Sequence, residues 1–439
     1  MSGETFNTTR EPAIQRWLRQ PALLALWSVV AAFGTYACMY GLRKPFTAAG
    51  FAGSEFPVGF KIWLVTAQVL GYTLSKFIGI GVIAGMPPAR RAGVLLGLVG
   101  TAELALVLFG LLPPPLSVVG LFLNGLPLGM VFGLVLGFLE GRRMTEALVA
   151  GLCASFILAD GFSKSIGSLT LGWGVPDRWM PAVAGLMFLV PLTGFVAMLR
   201  QIPPPNPADV AERAERAPMS RADRWHWLQR HGLGICLICV GYLLVTILRS
   251  LRADFAPEIW AALGTTGQPG VFIRSELWVT LGIVAVNGSV FLVRDNRRSF
   301  FLSLAVSLGG LLAATVAVIG QRSGWLEGLP FMILLGLGLY LPYVAVHTTV
   351  FERLIAMTRD RGNLGYLLYL ADAFGYLGYV AVMGFKLIAK PAGDFLVFFQ
   401  HTALVTLMLA VIAFAGAWAV FAVRRTAAGG RGAIRSLVP

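Results

Sequence analysis

PPPNPADVAERAERAPMSRADRWHWLQR, residues 203–230, decides how the chain is read, because it is the one long polar interruption in an otherwise apolar sequence. Four prolines in its first five positions stop any helix that enters it, and charged residues follow as far as Arg230. The stretch fits either a regulatory segment or a linker with an amphipathic interfacial piece at Arg224-Trp225-His226-Trp227. Six apolar tracts precede it: Ala22–Phe46, Ile62–Ala84, Ala92–Leu112, Leu116–Leu139, Ala147–Gly172 and Met180–Leu199. Six follow it: Leu233–Leu251, Val271–Val293, Phe300–Ile319, Leu329–Phe351, Leu364–Ile388 and Val397–Val423. A helix needs about 20 apolar residues to cross a bilayer, and these tracts are roughly twice too long for barrel strands. Only helices and closed barrels satisfy the backbone in lipid. The predicted fold is therefore an all-α polytopic membrane protein with 12 transmembrane helices in two six-helix halves. The domain plan is a cytoplasmic N-terminal segment at 1–21, a six-helix bundle at 22–199, a cytoplasmic linker at 200–232, a second bundle at 233–423 and a basic tail at 424–439.

Composition agrees with that plan. Of 439 residues, 57% are hydrophobic and only 13% charged, with a mean hydropathy of +0.75. Soluble domains carry about 25% charged residues, so a water-soluble enzyme is excluded. The formal charge of +14 could suggest nucleic acid, but the basic residues sit in alternate loops. They are Arg10, Arg16 and Arg19, then Arg90/Arg91, Arg142/Arg143, Arg200 to Arg230, Arg294/Arg297/Arg298, Arg353/Arg359/Arg361 and Arg424 to Arg435. Cytoplasmic loops carry the Lys/Arg excess, which predicts cytoplasmic termini in a multi-pass protein of a bacterial inner membrane. Met1 to Gln20 is polar and the first apolar tract is too long for a signal-peptide core, so no cleavable leader is expected. Cys236 and Cys239 have C-x-x-C spacing, but without a second pair they read, like Cys38 and Cys153, as packing residues. Glycine spacings such as Gly97/Gly100 and Gly133/Gly137 suit close helix approach. No phosphate-binding glycine loop, zinc spacing or Ser/His/Asp arrangement is present. No enzymatic activity, cofactor, metal or nucleic-acid partner is expected. The expected partners are a small anionic substrate and the lipid bilayer, with the monomer as the working unit.

Charges inside the spans carry the functional reading, because each costs about 2.5–3.5 kcal/mol near the bilayer centre. In the first span Tyr36, Tyr40 and Arg43 fall within roughly 60° of one another on a helix, with Lys44 about 100° round from Arg43. The second span repeats the device with Gln68, Tyr72 and Lys76 at i, i+4, i+8, placing Lys76 too deep to snorkel. The seventh span carries Arg249, followed by Arg252 and Asp254. Guanidinium offers a planar fork to phosphate or carboxylate, and lysine a point charge. Arg43, Lys76 and Arg249 are expected either to await an anionic cargo or to be neutralised by Glu103, Asp160, Asp372 or Glu276 from other helices.

Four short blocks resemble the organophosphate:phosphate antiporters of the major facilitator superfamily, the family of the glycerol-3-phosphate and hexose-phosphate transporters. They are Tyr36-x3-Tyr40-x2-Arg43-Lys44-x-Phe46, Tyr72-Thr-Leu-Ser75-Lys76-Phe77, Arg249-x4-Asp254-Phe255-x-Pro257 and Phe374-Gly375-Tyr376-Leu377-Gly378. The resemblance implies that Arg43 and Arg249 meet on a pseudo-two-fold axis and clamp a phosphate. Lys76 and Tyr40 would assist, with Tyr36, Tyr72, Tyr376 and Lys44 also in the binding site.

The chain departs from that family in several places. The loop after the second span, Gly81-Val-Ile-Ala-Gly85-Met-Pro-Pro-Ala-Arg90-Arg91, lacks the usual acid, and Pro45 predicts a kink. Where the family presents a histidine on its fifth helix, this chain has Asp160-Gly-Phe-Ser-Lys164, a favourable i, i+4 pair that is either self-neutralising or part of an altered pocket. Asp372 stands where the family is neutral, and His347 lies in the tenth span as a packed imidazole or a proton relay. The leading expectation is a secondary antiporter that exchanges a phosphorylated metabolite for inorganic phosphate. Two rivals remain: a transporter-like membrane sensor of organophosphate, and a carrier of phosphonate or carboxylate coupled to protons through Asp160 or Asp372.

Overall fold

The structure, a computed structural model, describes residues 17–435 apart from 19, 52–55, 57–58, 85, 141, 143–144, 206–220, 266–267, 359–363 and 390–394. Arg10, Arg16, Arg19, Arg143, Arg359, Arg361, Gly85 and the 206–220 part of the linker lie outside the described residues. So do the side chains of Arg224-Trp225-His226-Trp227 and of the tail beyond Val423.

Among the described residues, twelve long helices lie at the twelve predicted spans. The first six are α1 Pro21–Arg43, α2 Phe60–Ala84, α3 Pro88–Leu111, α4 Val118–Leu139, α5 Thr145–Gly172 and α6 Met180–Arg200. The second six are α7 Arg221–Asp254, α8 Gly270–Phe291, α9 Asn296–Arg322, α10 from Gly328–Ala345 onward, α11 Leu364–Ala389 and α12 Phe395–Arg435. Over the described residues, ten of the twelve are long and apolar enough to cross a membrane. The other two, α2 and α11, pack on each other across the two halves. In the first half α1 packs on α5 and α6, and α4 on α2 and α3. In the second, α7 packs on α11 and α12, and α10 on α8 and α9. Besides α2–α11, the α5–α8 contact joins the halves.

Three local departures from the predicted spans position the site. The first span was expected to run to Phe46, but α1 stops at Arg43 and the chain tightens into a 3-10 turn, Pro45–Ala48. Pro45 has no N–H to continue the ladder, and Thr47 N bonds back only to Lys44 O at 3.0 Å. The last carbonyls of α1 therefore need outside donors. Asn124 of α4 donates to Leu42 O at 3.2 Å, and Gln68 of α2 donates to Arg43 O at 2.9 Å and to Asn124 Oδ1 at 2.8 Å. Asn124 spends its remaining N–H on Ala102 O at 3.0 Å. Every amide donor of the two side chains is used, and Arg43 stands on a fixed base.

The second departure is in α10, where Pro342 removes one helical donor and the helix widens into a π turn at Val346–Val350 before resuming over Phe351–Thr358. Such bulges recur at functional sites, and His347 sits in this one. The third is a close approach of α2 to α4. A Cβ on Gly71, Gly125 or Gly129 would come to 2.2, 2.1 and 2.5 Å from Phe122 O, Gln68 O and Tyr72 O respectively. These glycines let the two backbones touch and hold Gln68 and Tyr72 in register with α1. Gly125→Val is expected to lower stability by at least about 1–3 kcal/mol through overpacking, read as a fall in the thermal midpoint of detergent-solubilised protein.

Candidate functional site

At the interface of the halves, buried charged and phenolic side chains form three successive layers. The middle layer holds Arg43 and Arg249, 3% and 5% exposed. The Arg43 guanidinium carbon lies 3.8 Å from the Tyr72 ring centroid, 5.9 Å from that of Tyr40 and 5.8 Å from that of Tyr376. Arg249 lies 4.3 Å from the Tyr343 ring and 5.7 Å from that of Tyr340, and donates to Tyr376 Oη at 3.5 Å and to Ser250 Oγ at 3.4 Å. Tyr376 thus touches both arginines. Tyr36 packs edge-on against Tyr40 at 5.5 Å, and its hydroxyl is 3.5 Å from that of Tyr72. Neither arginine makes an ion pair among the described residues, and the Nε of each has no hydrogen-bond partner.

The second layer lies toward the end of the bundle where α1 finishes and α2 begins, and here every cation has an acid. Lys44 pairs with Asp254 and lies 3.9 Å from Asp160; Asp160 pairs with Lys164, one helical turn away. Tyr379 donates to Asp254 at 2.9 Å. Arg252 meets Glu276 at 2.8 Å and Met332 O at 2.9 Å. Gly336 makes room for that guanidinium, since a Cβ there would fall 2.8 Å from it. At the rim, Lys61 bridges Glu258, on a short helix Ala256–Ala262, and Thr47 O at 2.5 and 2.6 Å. Lys44–Asp254 and Lys61–Glu258 both join one half to the other. The third layer, on the opposite side of the arginines, is centred on Asp372. It receives Lys76 Nζ at 2.5 Å and the Tyr242 hydroxyl, and faces His347 Nε2 at 3.4 Å. The His347 ring lies tilted against Tyr343 at 4.6 Å between centroids, with its Nδ1 at 3.0 Å from Tyr343 O.

The structure brings together all twelve site residues read from the sequence, and it divides the three cations between the two alternatives: Lys76 has an acid, whereas Arg43 and Arg249 have none among the described residues. Lys76 is neutralised by Asp372, because α11 brings that acid against the α2 face bearing Tyr72 and Lys76. Lys44 belongs to the ion-paired layer rather than to the arginines, since it projects from the turn after α1 toward Asp254. Asp160 and Lys164 neutralise each other, as the self-paired reading held. Glu103 stands apart on α3 against Gly185 of α6, with neither carboxyl oxygen hydrogen-bonded. Sequence reasoning missed Tyr242, Tyr340, Tyr343 and Tyr379. A signal was there: the chain has 29 phenylalanines but only 10 tyrosines, and Tyr340, Tyr343 and His347 share one helical stripe.

Comparison with known proteins places the chain. A family model described as a family of unknown function, DUF5690, matches residues 45–424. The chain belongs to that family. No protein of curated function matches the sequence. Among solved structures, the nucleoside transporter NupG superposes with a TM-score of 0.58 at 12% identity, covering 91% of this chain and 100% of that chain. A D-xylose-proton symporter superposes with a TM-score of 0.57 at 14% identity, covering 92% and 97%. At such identities the likeness shows the fold alone: this chain folds as those two transporters do.

Breaking one buried ion pair leaves a charge unmatched and costs about 3–5 kcal/mol, whereas removing both partners is often close to neutral. Asp254→Asn should therefore lower the thermal midpoint sharply, and Lys44→Gln combined with Asp254→Asn should recover most of the loss. A double variant as unstable as the single one would show that Asp254 serves something other than Lys44.

Proposed function

We propose that the protein is a secondary transporter, working by alternating access, for a small organic anion, and that the anion is a phosphorylated metabolite exchanged for inorganic phosphate. One observation carries this reading. Every other buried lysine or arginine among the described residues has a carboxylate oxygen within 2.8 Å, and Arg43 and Arg249 have none. Two uncompensated guanidinium groups in one aromatic enclosure call for about two negative charges. A phosphate monoester carries about −1.5 to −2 at neutral pH and presents oxygens that suit the guanidinium fork. The arginines come from opposite halves, α1 and α7, so a shared anion would tie the halves together as alternating access requires. The four blocks similar to organophosphate antiporters point the same way, as does the fold shared with solved transporters. The reading also takes the protein to be a multi-pass monomer of the bacterial inner membrane with cytoplasmic termini and no enzymatic activity.

Arg43→Lys and Arg249→Lys keep the charge but lose the fork. Each is expected to weaken binding by at least about 2 kcal/mol, roughly 30-fold, and to suppress phosphate counterflow in proteoliposomes. Counterflow at the wild-type rate in both variants would sink the clamp. Phosphate binding without counterflow in the wild type would instead favour a membrane sensor.

A further inference from the structure

Lys76 is the third cation within reach of the arginine pair, and Asp372 is what occupies it. The ammonium lies 2.5 Å from Asp372 Oδ2, yet only 5.2 and 5.3 Å from the Tyr72 and Tyr376 ring centroids. Arg43 lies against those same two rings, and Arg249 reaches the Tyr376 hydroxyl. Lysine sits on a flexible four-carbon stem, so turning about that stem carries Nζ past the rings toward the arginines. Asp372 is placed differently. Its other partners, Tyr242 and His347, stand on α7 and α10, in the same half as α11 itself. When Lys76 leaves, Asp372 Oδ1 keeps those two neighbours while Oδ2 loses its partner, so the move has a cost that the added negative charge of the cargo must offset.

We propose that Asp372 is an internal counter-ion that competes with the cargo's anionic group for Lys76 and thereby sets the charge the site selects. The inference rests on the anion-binding reading above and deepens it. With Lys76 held by Asp372 the site offers two free positive charges, the complement of a dianion. A cargo with a further negative group, such as a diphosphate or a phosphorylated carboxylate, must first draw Lys76 away from Asp372. Asp372 is thus a specificity-determining residue acting through Lys76, and α2–α11 contact is strongest when the site holds nothing more negative than a dianion.

Titration calorimetry of the full-length protein in detergent, with inorganic phosphate, pyrophosphate and malate, tests this on wild type, Asp372→Asn, Lys76→Gln and the double variant. Asp372→Asn is expected to bind phosphate at least about tenfold more tightly than wild type, with a larger gain for pyrophosphate. Damage to the fold does not produce tighter binding, so a merely structural role would not give this result. Lys76→Gln leaves the carboxylate facing the site and should bind phosphate about tenfold more weakly than the double variant, whose affinity should return close to that of wild type. Wild-type binding combined with unchanged or weaker binding by monodisperse Asp372→Asn overturns the counter-ion role alone. Should that variant not stay monodisperse, equal affinities of Lys76→Gln and the double variant overturn it. If wild type binds neither phosphate, pyrophosphate nor a dicarboxylate such as malate, the anion-binding reading falls, and this inference with it.

Discussion

Burying a charge without its counter-ion costs several kcal/mol even after relaxation, and this cost organises the centre of the molecule. Five buried cations meet it with carboxylates: Lys44, Lys61, Lys76, Lys164 and Arg252. Arg43 and Arg249 meet it only in part, through aromatic faces. A desolvated cation–π contact contributes about 2 kcal/mol, which offsets the burial of a guanidinium but does not replace a partner of opposite charge. The arginines stay where they are because the scaffold leaves them no alternative. Arg43 ends a helix whose last carbonyls are tied by Gln68 and Asn124, and Arg249 is enclosed by three tyrosines from α10 and α11.

The choice of aromatic residue follows from the same constraint. Eight of the chain's 10 tyrosines, Tyr36, Tyr40, Tyr72, Tyr242, Tyr340, Tyr343, Tyr376 and Tyr379, are buried in or beside the three layers, whereas exposed phenylalanines such as Phe77, Phe374 and Phe385 lie on outer surfaces of the helices. A phenol gives the cation the same ring face as phenylalanine and adds a neutral group that can donate or accept. Such a wall can hold a guanidinium on one occasion and an anion's oxygens on another without changing its own charge. A carboxylate in the same position would hold the guanidinium too firmly to release it.

What could be read from the sequence divides along the range of the interactions. The twelve spans were legible because hydropathy is local, and so was the Tyr36-Tyr40-Arg43 stripe, because helical periodicity alone places those residues on one face. Gln68, Tyr72 and Lys76 were legible for the same reason. The counter-ions were not. Lys44 and Asp254 are 210 positions apart, and Lys76 and Asp372 are 296 apart; nothing in either local sequence states which acid meets which base. Only the packing of α2 on α11 and of α5 on α8 decides it. The α10 tyrosines lay between these cases, since their stripe was visible but the side of the helix that faced the arginines was not.

The layered neutralisation bears on how a carrier of this build would couple its two transport steps. On either side of the arginines, the ion pairs between the halves sum to zero charge, so separating the halves there breaks bonds without moving net charge into lipid. The middle layer differs. Without an anion it carries about two uncompensated positive charges, and passing it through a tightly closed state strips the surrounding water from both at several kcal/mol each. With a dianion bound, the same passage is nearly neutral, and the guanidinium forks gain strength as the dielectric falls. The difference between the two states is differential stabilisation of the closed conformation by cargo, the requirement for any ligand-driven shift. On the proposed reading, return without cargo would be the slow step, so flux in one direction would have to be matched by an anion travelling in the other. Exchange, on this account, follows from leaving two arginines without acids and needs no separate coupling device.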